Sequence, residues 1–308
     1  MSGSNSKRKR SKSPSKPLEL ETAKLGFIGS GKMTESLVNG FIDYGKVDKK
    51  RIFISAPTEK NSIRFKEKGC NITKRNYDIF GKFDCDVIFI CCPGSVVLDC
   101  LRDPKRPHPL CTNFIPLTSK DKYIFSLVSG VKLTQLQTVL LNPDHKGKYI
   151  IEMHRIVINP ACAYGLGICA IDVEPDSNKL SASLRTLLST ISKLEHVPEE
   201  QMDAACAICG AGLAFVYCFI KAMADGALKA GLDRSIAIKF AAKTLQCAAQ
   251  SLLETGKHPG ELRDHVCAPG GPAIEGINKM NNLDLNGSII SAVEKSKDFA
   301  FKLLTAKP

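Results

Sequence analysis

Gly29-Ser30-Gly31 follows a short apolar run, Leu25-Gly26-Phe27-Ile28, and precedes Leu37, Val38, Phe41 and Ile42 at helical spacing. That order reads as strand, glycine turn, helix. Glycine allows the tight turn and the close approach of backbone to a pyrophosphate. The helix behind it offers unpaired N–H groups and the positive end of its dipole. An isolated G-x-G is usually an ordinary turn, and no third glycine completes this motif. The flanking strand and helix turn it into a dinucleotide signal. The end of the next strand tests which dinucleotide is bound. NAD-binding folds place an acid there for the ribose hydroxyls, whereas this chain has Ser55-Ala56-Pro57-Thr58, with Lys60 and Arg64 downstream. This favours NADP(H), with NAD(H) as the alternative, although Lys60 and Arg64 also suit solvated helix positions.

Other reactive residue types give weaker patterns. Of the thirteen cysteines, Cys206 and Cys209 form C-x-x-C, but they stand in an Ala-rich helical stretch without a second pair at zinc spacing. The cysteines are expected to be reduced core residues, and no metal site is expected. His258, in His258-Pro259-Gly260-Glu261, reads as a turn residue. His154 and His265 have no carboxylate pattern that marks a base.

The elements around the turn alternate. Residues 51–55, 85–92 and 123–128 read as strands, and residues 59–68 as a helix between the first two. Such alternation implies an α/β fold with a Rossmann-like parallel sheet and right-handed crossovers. Residues 102–122, rich in Pro and polar side chains, read as a loop excursion. After Asp176 only helices are expected, over residues 180–194, 201–230 and 235–253. The expected organisation is a basic tail (1–20), a nucleotide-binding domain (21–176) and an all-helical domain (177–308). Phe215, Phe219, Met223 and Ala227 form one apolar seam on a helix apolar around most of its circumference, which must be buried within its domain or between subunits.

The 308 residues carry 43 Lys+Arg against 31 Asp+Glu, a net charge of +12 that first suggests nucleic acid. Half of that charge sits in residues 1–17, a tail with Lys7-Arg8-Lys9-Arg10 and no acid. The tail is expected to be disordered, and nucleic-acid binding rests on charge alone. No uninterrupted apolar run approaches the roughly 18 residues of a membrane helix. A soluble, cytoplasmic protein is expected, with a nuclear alternative through the basic run.

From residue 24 to 304 the chain resembles the pyrroline-5-carboxylate reductase family. The resemblance is strongest over residues 222–276. There Ala224-Asp225-Gly226, Lys229-Ala230-Gly231-Leu232, His258-Pro259-Gly260-Glu261-Leu262, Asp264 and Pro269-Gly270-Gly271 stand in the family's order and spacing. The resemblance implies a Rossmann domain followed by a helical dimerisation domain, in a homodimer or higher homo-oligomer. It implies coenzyme contacts at Gly29, Ser30, Gly31, Lys32 and Met33, at Ser55 and Asn76 on the adenosine side, at Cys91, Cys92, Pro93 and Gly94, and at Val128, Ser129 and Gly130. It further implies a cyclic imine carboxylate against residues 269–273, reduced by hydride transfer to give proline. Asn159, Asp264, Gly270, Gly271 and Ala273 are placed nearest that substrate. Asp264 also reads as a first-turn helix acid or an N-cap.

The chain departs from the family at several of these positions. The family's S-P-G-G-T-T is Ala268-Pro269-Gly270-Gly271-Pro272-Ala273 here, without hydroxyls, and Pro272 has no N–H to give. The family's G-S-G-P-A-Y is Gly210-Ala211-Gly212-Leu213-Ala214-Phe215, and its A-V-K-P is Cys91-Cys92-Pro93-Gly94, which lacks the lysine. Two readings follow: a reductase in which water or Asp264 supplies the proton, or a coenzyme-binding dimer that lost the chemistry and acts as a sensor or interaction partner.

Overall fold

Alternate residues of three neighbouring strands feed two different cores. Phe27, Phe89 and Phe125 stack on one face of the sheet, with ring centroids 5.1 and 5.4 Å apart along the row, and Phe41 closes over Phe89. Ile28, Ile90 and Ile124 face the other side, where Ile79, Val131 and Leu136 cover them. A strand buried on both faces reads as a continuous apolar run, and β1 and β4 do so. The structure, a computed structural model, describes residues 18–56, 58, 61–94, 97, 120–140 and 149–305. The basic tail and nearly all of the Pro-rich segment lie outside the described residues.

The first half alternates as expected. It runs β1 (Leu25–Ile28), α1 (Lys32–Asp43), β2 (Ile52–Ser55), α2 (Ile63–Glu67), β3 (Asn71–Thr73), α3 (Asn76–Phe80), β4 (Val87–Ile90), β5 (Lys122–Ser126) and α4 (Leu133–Leu140). The sheet then continues through β6 (Ile151–Ile158), β7 (Gly167–Ile171), α5 (Ala182–Ser189) and β8 (Ser192–His196). Among the described residues the sheet has eight strands, in the order β3-β2-β1-β4-β5-β6-β7-β8. All pairs are parallel except β6 with β7.

Two expectations are corrected here. Helix α5 stops at Ser189, and residues 192–196 form a strand parallel to β7, so sheet structure extends past Asp176 to His196. Leu184, Leu187, Leu188 and Ile191 keep helical spacing across the turn at Thr190, which hides the break. The helix expected over residues 59–68 is also shorter, five residues from Ile63.

The helical region comprises α6 (Met202–Cys206), a π turn (Ala207–Ala211), α7 (Gly212–Lys229), α8 (Arg234–Thr255), α9 (Pro259–Val266), α10 (Pro272–Asn282) and α11 (Leu285–Thr305). Helices α7 and α8 meet through Ala224, Ala237 and Ala241, small residues that bring the backbones close. The seam on α7 is not buried within the chain. Met223 is exposed, Phe215 and Phe219 are partly so, and Val216 and Tyr217 beside them are exposed as well. Residues 199–229 are long and apolar enough to cross a membrane by length and composition, a feature that a search for uninterrupted apolar runs passes over.

Candidate active site

The C-terminal ends of β1, β2, β4 and β5 line up at one edge of the sheet. The strand order reverses direction between β1 and β4 there, the place where open α/β sheets bind ligands. Gly29 has φ +105°, and a Cβ there would lie 3.1 Å from the Cys91 carbonyl, so only glycine fits. Its N–H donates to the Ser55 carbonyl at 3.1 Å, and its carbonyl accepts from the Thr34 hydroxyl at 2.9 Å. Gly31 is the N-cap of α1 without a side-chain cap, and a Cβ there would meet nothing within 4 Å. No side chain caps the first N–H groups of this twelve-residue helix. Ser30 is buried, Lys32 is exposed, and Met33 packs against the core.

At the end of β2 the buried Ser55 hydroxyl pairs with Asn76 Oδ1 at 2.5 Å, joining the two residues implied for the adenosine side. Arg64 reaches from α2 back to the glycine turn. It donates to the Ser30 carbonyl at 2.6 Å and pairs with Glu35 of α1 at 2.8 Å. This corrects the reading of Arg64 as a solvated helix residue. Lys60 lies outside the described residues.

Cys91, Cys92, Pro93 and Gly94 follow β4 directly, and the Cys91 N–H donates to the Ile28 carbonyl at 2.9 Å. Burial pushes the Cys91 thiol up to about 12, which keeps it uncharged beside the turn. After β5, Val128 is buried, Gly130 has φ +75°, and the Ser129 hydroxyl lies 3.5 Å from Cys206 Sγ. The helical region docks at this point. Glu199 accepts from the Leu133 N–H at 2.7 Å, and buried Arg155 of β6 pairs with Asp203 of α6 at 2.5 Å. Asn159, nine-tenths buried, ends β6 on the same sheet edge, and its Oδ1 accepts from the Ile168 N–H at 3.3 Å.

The residues placed nearest the substrate fall into two groups. Asn159 joins the coenzyme-side residues, whereas Asp264, Gly270, Gly271 and Ala273 stand on α9, the following turn and α10. Their hydrogen bonds stay local. Asp264 takes Arg263 at 2.6 and 2.8 Å, and the Gly271 N–H donates to the Ala268 carbonyl at 2.9 Å. Asp264 lies near the C-terminal end of α9, so neither the first-turn nor the N-cap reading holds. His258 is the N-cap of α9, its Nδ1 accepting from the Gly260 N–H at 3.1 Å. Gly271 is the N-cap of α10, with Pro272 in the first turn.

The expectation that no carboxylate pattern surrounds His154 is corrected by the structure. Buried His154 lies 2.7 Å from Glu152 and 3.1 Å from Asp172. Burial disfavours its cation, but the two carboxylates outweigh burial and its pKa is pushed up to about 9. Glu152 and His154 alternate along β6, a visible signal for one face of a strand. Asp172 arrives only through the β6–β7 pairing.

Residues 199–303 match the family model described as pyrroline-5-carboxylate reductase dimerisation, and residues 24–109 match the one described as NADP oxidoreductase coenzyme F420-dependent. Pyrroline-5-carboxylate reductase 3 of Danio rerio is 32% identical over 303 residues, covering 98% of both chains. The Bos taurus protein of that name is 32% identical, covering 88% of this chain and 82% of its own. The Plasmodium falciparum pyrroline carboxylate reductase, solved with NADP bound, shares the fold with a TM-score of 0.75 at 21% identity, over 93% of this chain and 100% of that one. With an open glycine turn at the sheet's switch point and relatives at this identity over nearly their whole length, the chain belongs to the pyrroline-5-carboxylate reductase family.

Proposed function

We propose that this protein is an NADP(H)-dependent reductase that converts a cyclic imine carboxylate of the pyrroline-5-carboxylate type to proline, acting as a homodimer. The observation that carries this reading is the open turn at Gly31, bordered by Ser55 and Arg64 where NAD-binding folds place an acid. Those residues fit a phosphorylated dinucleotide. The N–H groups opening α1 would take the pyrophosphate, Ser55 and Asn76 the adenosine side, and residues 91–94 and 128–130 the nicotinamide side. When bound, the coenzyme supplies the hydride.

The chain's own contribution is to bind, orient and exclude water. The Gly270-Gly271 turn and the N-terminus of α10 suit a substrate carboxylate, and the exposure of that turn supports its service to a partner chain's site. Pro272 removes one donor, and Ala273 offers no hydroxyl to the ring nitrogen, which leaves water or Asp264 to protonate it. Each lost hydrogen bond to a charged group costs about 1.5–3 kcal/mol. These losses favour a slow reductase. They also support the second reading, a scaffold that binds coenzyme without turnover. Following NADPH oxidation with pyrroline-5-carboxylate, beside calorimetric titration with NADPH, separates the two. Turnover supports the reductase, and binding without turnover supports the scaffold.

A further inference from the structure

Arg64 links the helix after β2 to the glycine turn after β1, the two places that flank the position of an adenosine ribose. It stands on α2, directly after the β2 loop, and its guanidinium lies against the glycine turn after β1. Two of its donors are engaged, one by the Ser30 carbonyl and one by the Glu35 carboxylate. A third, Nε–H, is buried without a partner. A guanidinium has five donors in a rigid fork that matches phosphate bidentately, so this one keeps donors to spare. Both side chains of the pair are about one-third exposed, at 35% and 33%, which makes Glu35 a weak and replaceable partner.

We propose that Arg64 selects the 2′-phosphorylated coenzyme, and that Glu35 holds the guanidinium over the turn and yields it when the phosphate binds. This rests on the reading of the turn as a dinucleotide site. A phosphate carries more charge than a carboxylate and accepts two parallel hydrogen bonds, so the exchange favours NADP(H) over NAD(H). The Ser30 carbonyl keeps Arg64 aimed during the exchange. Glu35 then lowers affinity for the phosphorylated coenzyme and shields the turn's positive end while it is empty.

The test is calorimetric titration of the full chain with NADPH, NADH and adenosine 2′-phosphate. The variants are Arg64→Gln, Arg64→Lys, Glu35→Gln and Lys60→Ala, each checked by thermal melting. Arg64→Gln is expected to weaken NADPH and adenosine 2′-phosphate about 10- to 100-fold while leaving NADH unchanged. Arg64→Lys should fall between, keeping charge without the fork. Glu35→Gln should tighten NADPH about two- to fivefold. Equal weakening of both coenzymes by Arg64→Gln would overturn the proposal and reduce Arg64 to a structural brace. So would selectivity lost in Lys60→Ala but kept in Arg64→Gln, or a wild type without preference. Should Arg64→Gln not fold, Arg64→Lys and Glu35→Gln decide the matter. A wild type that binds neither dinucleotide refutes the dinucleotide site itself.

Discussion

Burial alone would leave His154 neutral at pH 7, and Glu152 and Asp172 reverse that outcome. Asp172 also accepts from the Arg155 N–H, and Arg155 pairs with Asp203, so the imidazolium sits in a charged network that spans β6, β7 and α6. The folded-state pKa of about 9 lies above the ordinary value of 6.5. The stabilisation is therefore fully present below pH 6.5 and is lost as pH rises through 9, on the order of 3 kcal/mol at most. Urea unfolding at pH 6 and at pH 9.5 should show that loss in the wild type, and His154→Gln should flatten it. A wild type with equal stability at both pH values would contradict the assignment. Arg64 and His154 share a lesson about single residues. Arg64 was legible as a basic residue after the second strand and Glu152 as a neighbour of His154 on one strand face, but Ser30, Glu35 and Asp172 come from other elements and no local spacing announces them.

At the scale of elements, the join between sheet and helices depends on Arg155 and Asp203. Arg155 is nearly fully buried, so removing its acid strands a charge that the interior cannot solvate. Asp203→Asn should cost about 3 kcal/mol in chemical denaturation, toward the low end for a broken buried pair because Asp203 is partly exposed. It should also loosen the Ser129–Cys206 contact and weaken coenzyme binding. β1, β2, β4 and β5 were legible because they are apolar runs between turns. β3, only three residues long, and β6, β7 and β8 were not legible as strands. β6 departs from a clean apolar run through Glu152, His154 and Arg155, and β8 through Lys193, Glu195 and His196, whereas β7, Gly-Ile-Cys-Ala-Ile, is a short apolar run that periodicity alone does not assign to a strand. As an edge strand with one hydrogen-bonded neighbour, β8 needs only one covered face, and its Ser-Lys-Leu-Glu-His pattern carries almost no signal. The nucleotide turn was legible because its chemistry is contiguous: the strand, both glycines and the helix all lie within residues 25–43.

For the whole molecule, the exposed apolar surface of α7 demands a cover. A groove of about 560 Å³ between α7, α8 and α11, lined by Phe215, Phe219, Leu245 and Ile289, is almost wholly apolar. It lies within the residues that match the dimerisation model. The wild type should sediment as a dimer or larger, and Phe219→Glu should give monomers that keep the sheet's far-ultraviolet signature but lose turnover, if the second chain completes the site. A monomeric wild type would contradict the interface. The charge of +12 counts for less at this scale, since half of it belongs to residues 1–17.

The proposed reaction moves a hydride from a coenzyme on the Gly29–Gly31 turn to an imine carbon. Incubating the protein with pyrroline-5-carboxylate and NADPH deuterated at the nicotinamide C4 position, then recovering the product for mass spectrometry, follows that hydride. The expected product is proline with one deuterium on C5, the former imine carbon. Recovery of unreduced imine, or of proline without deuterium from either face of the nicotinamide, would contradict that reaction.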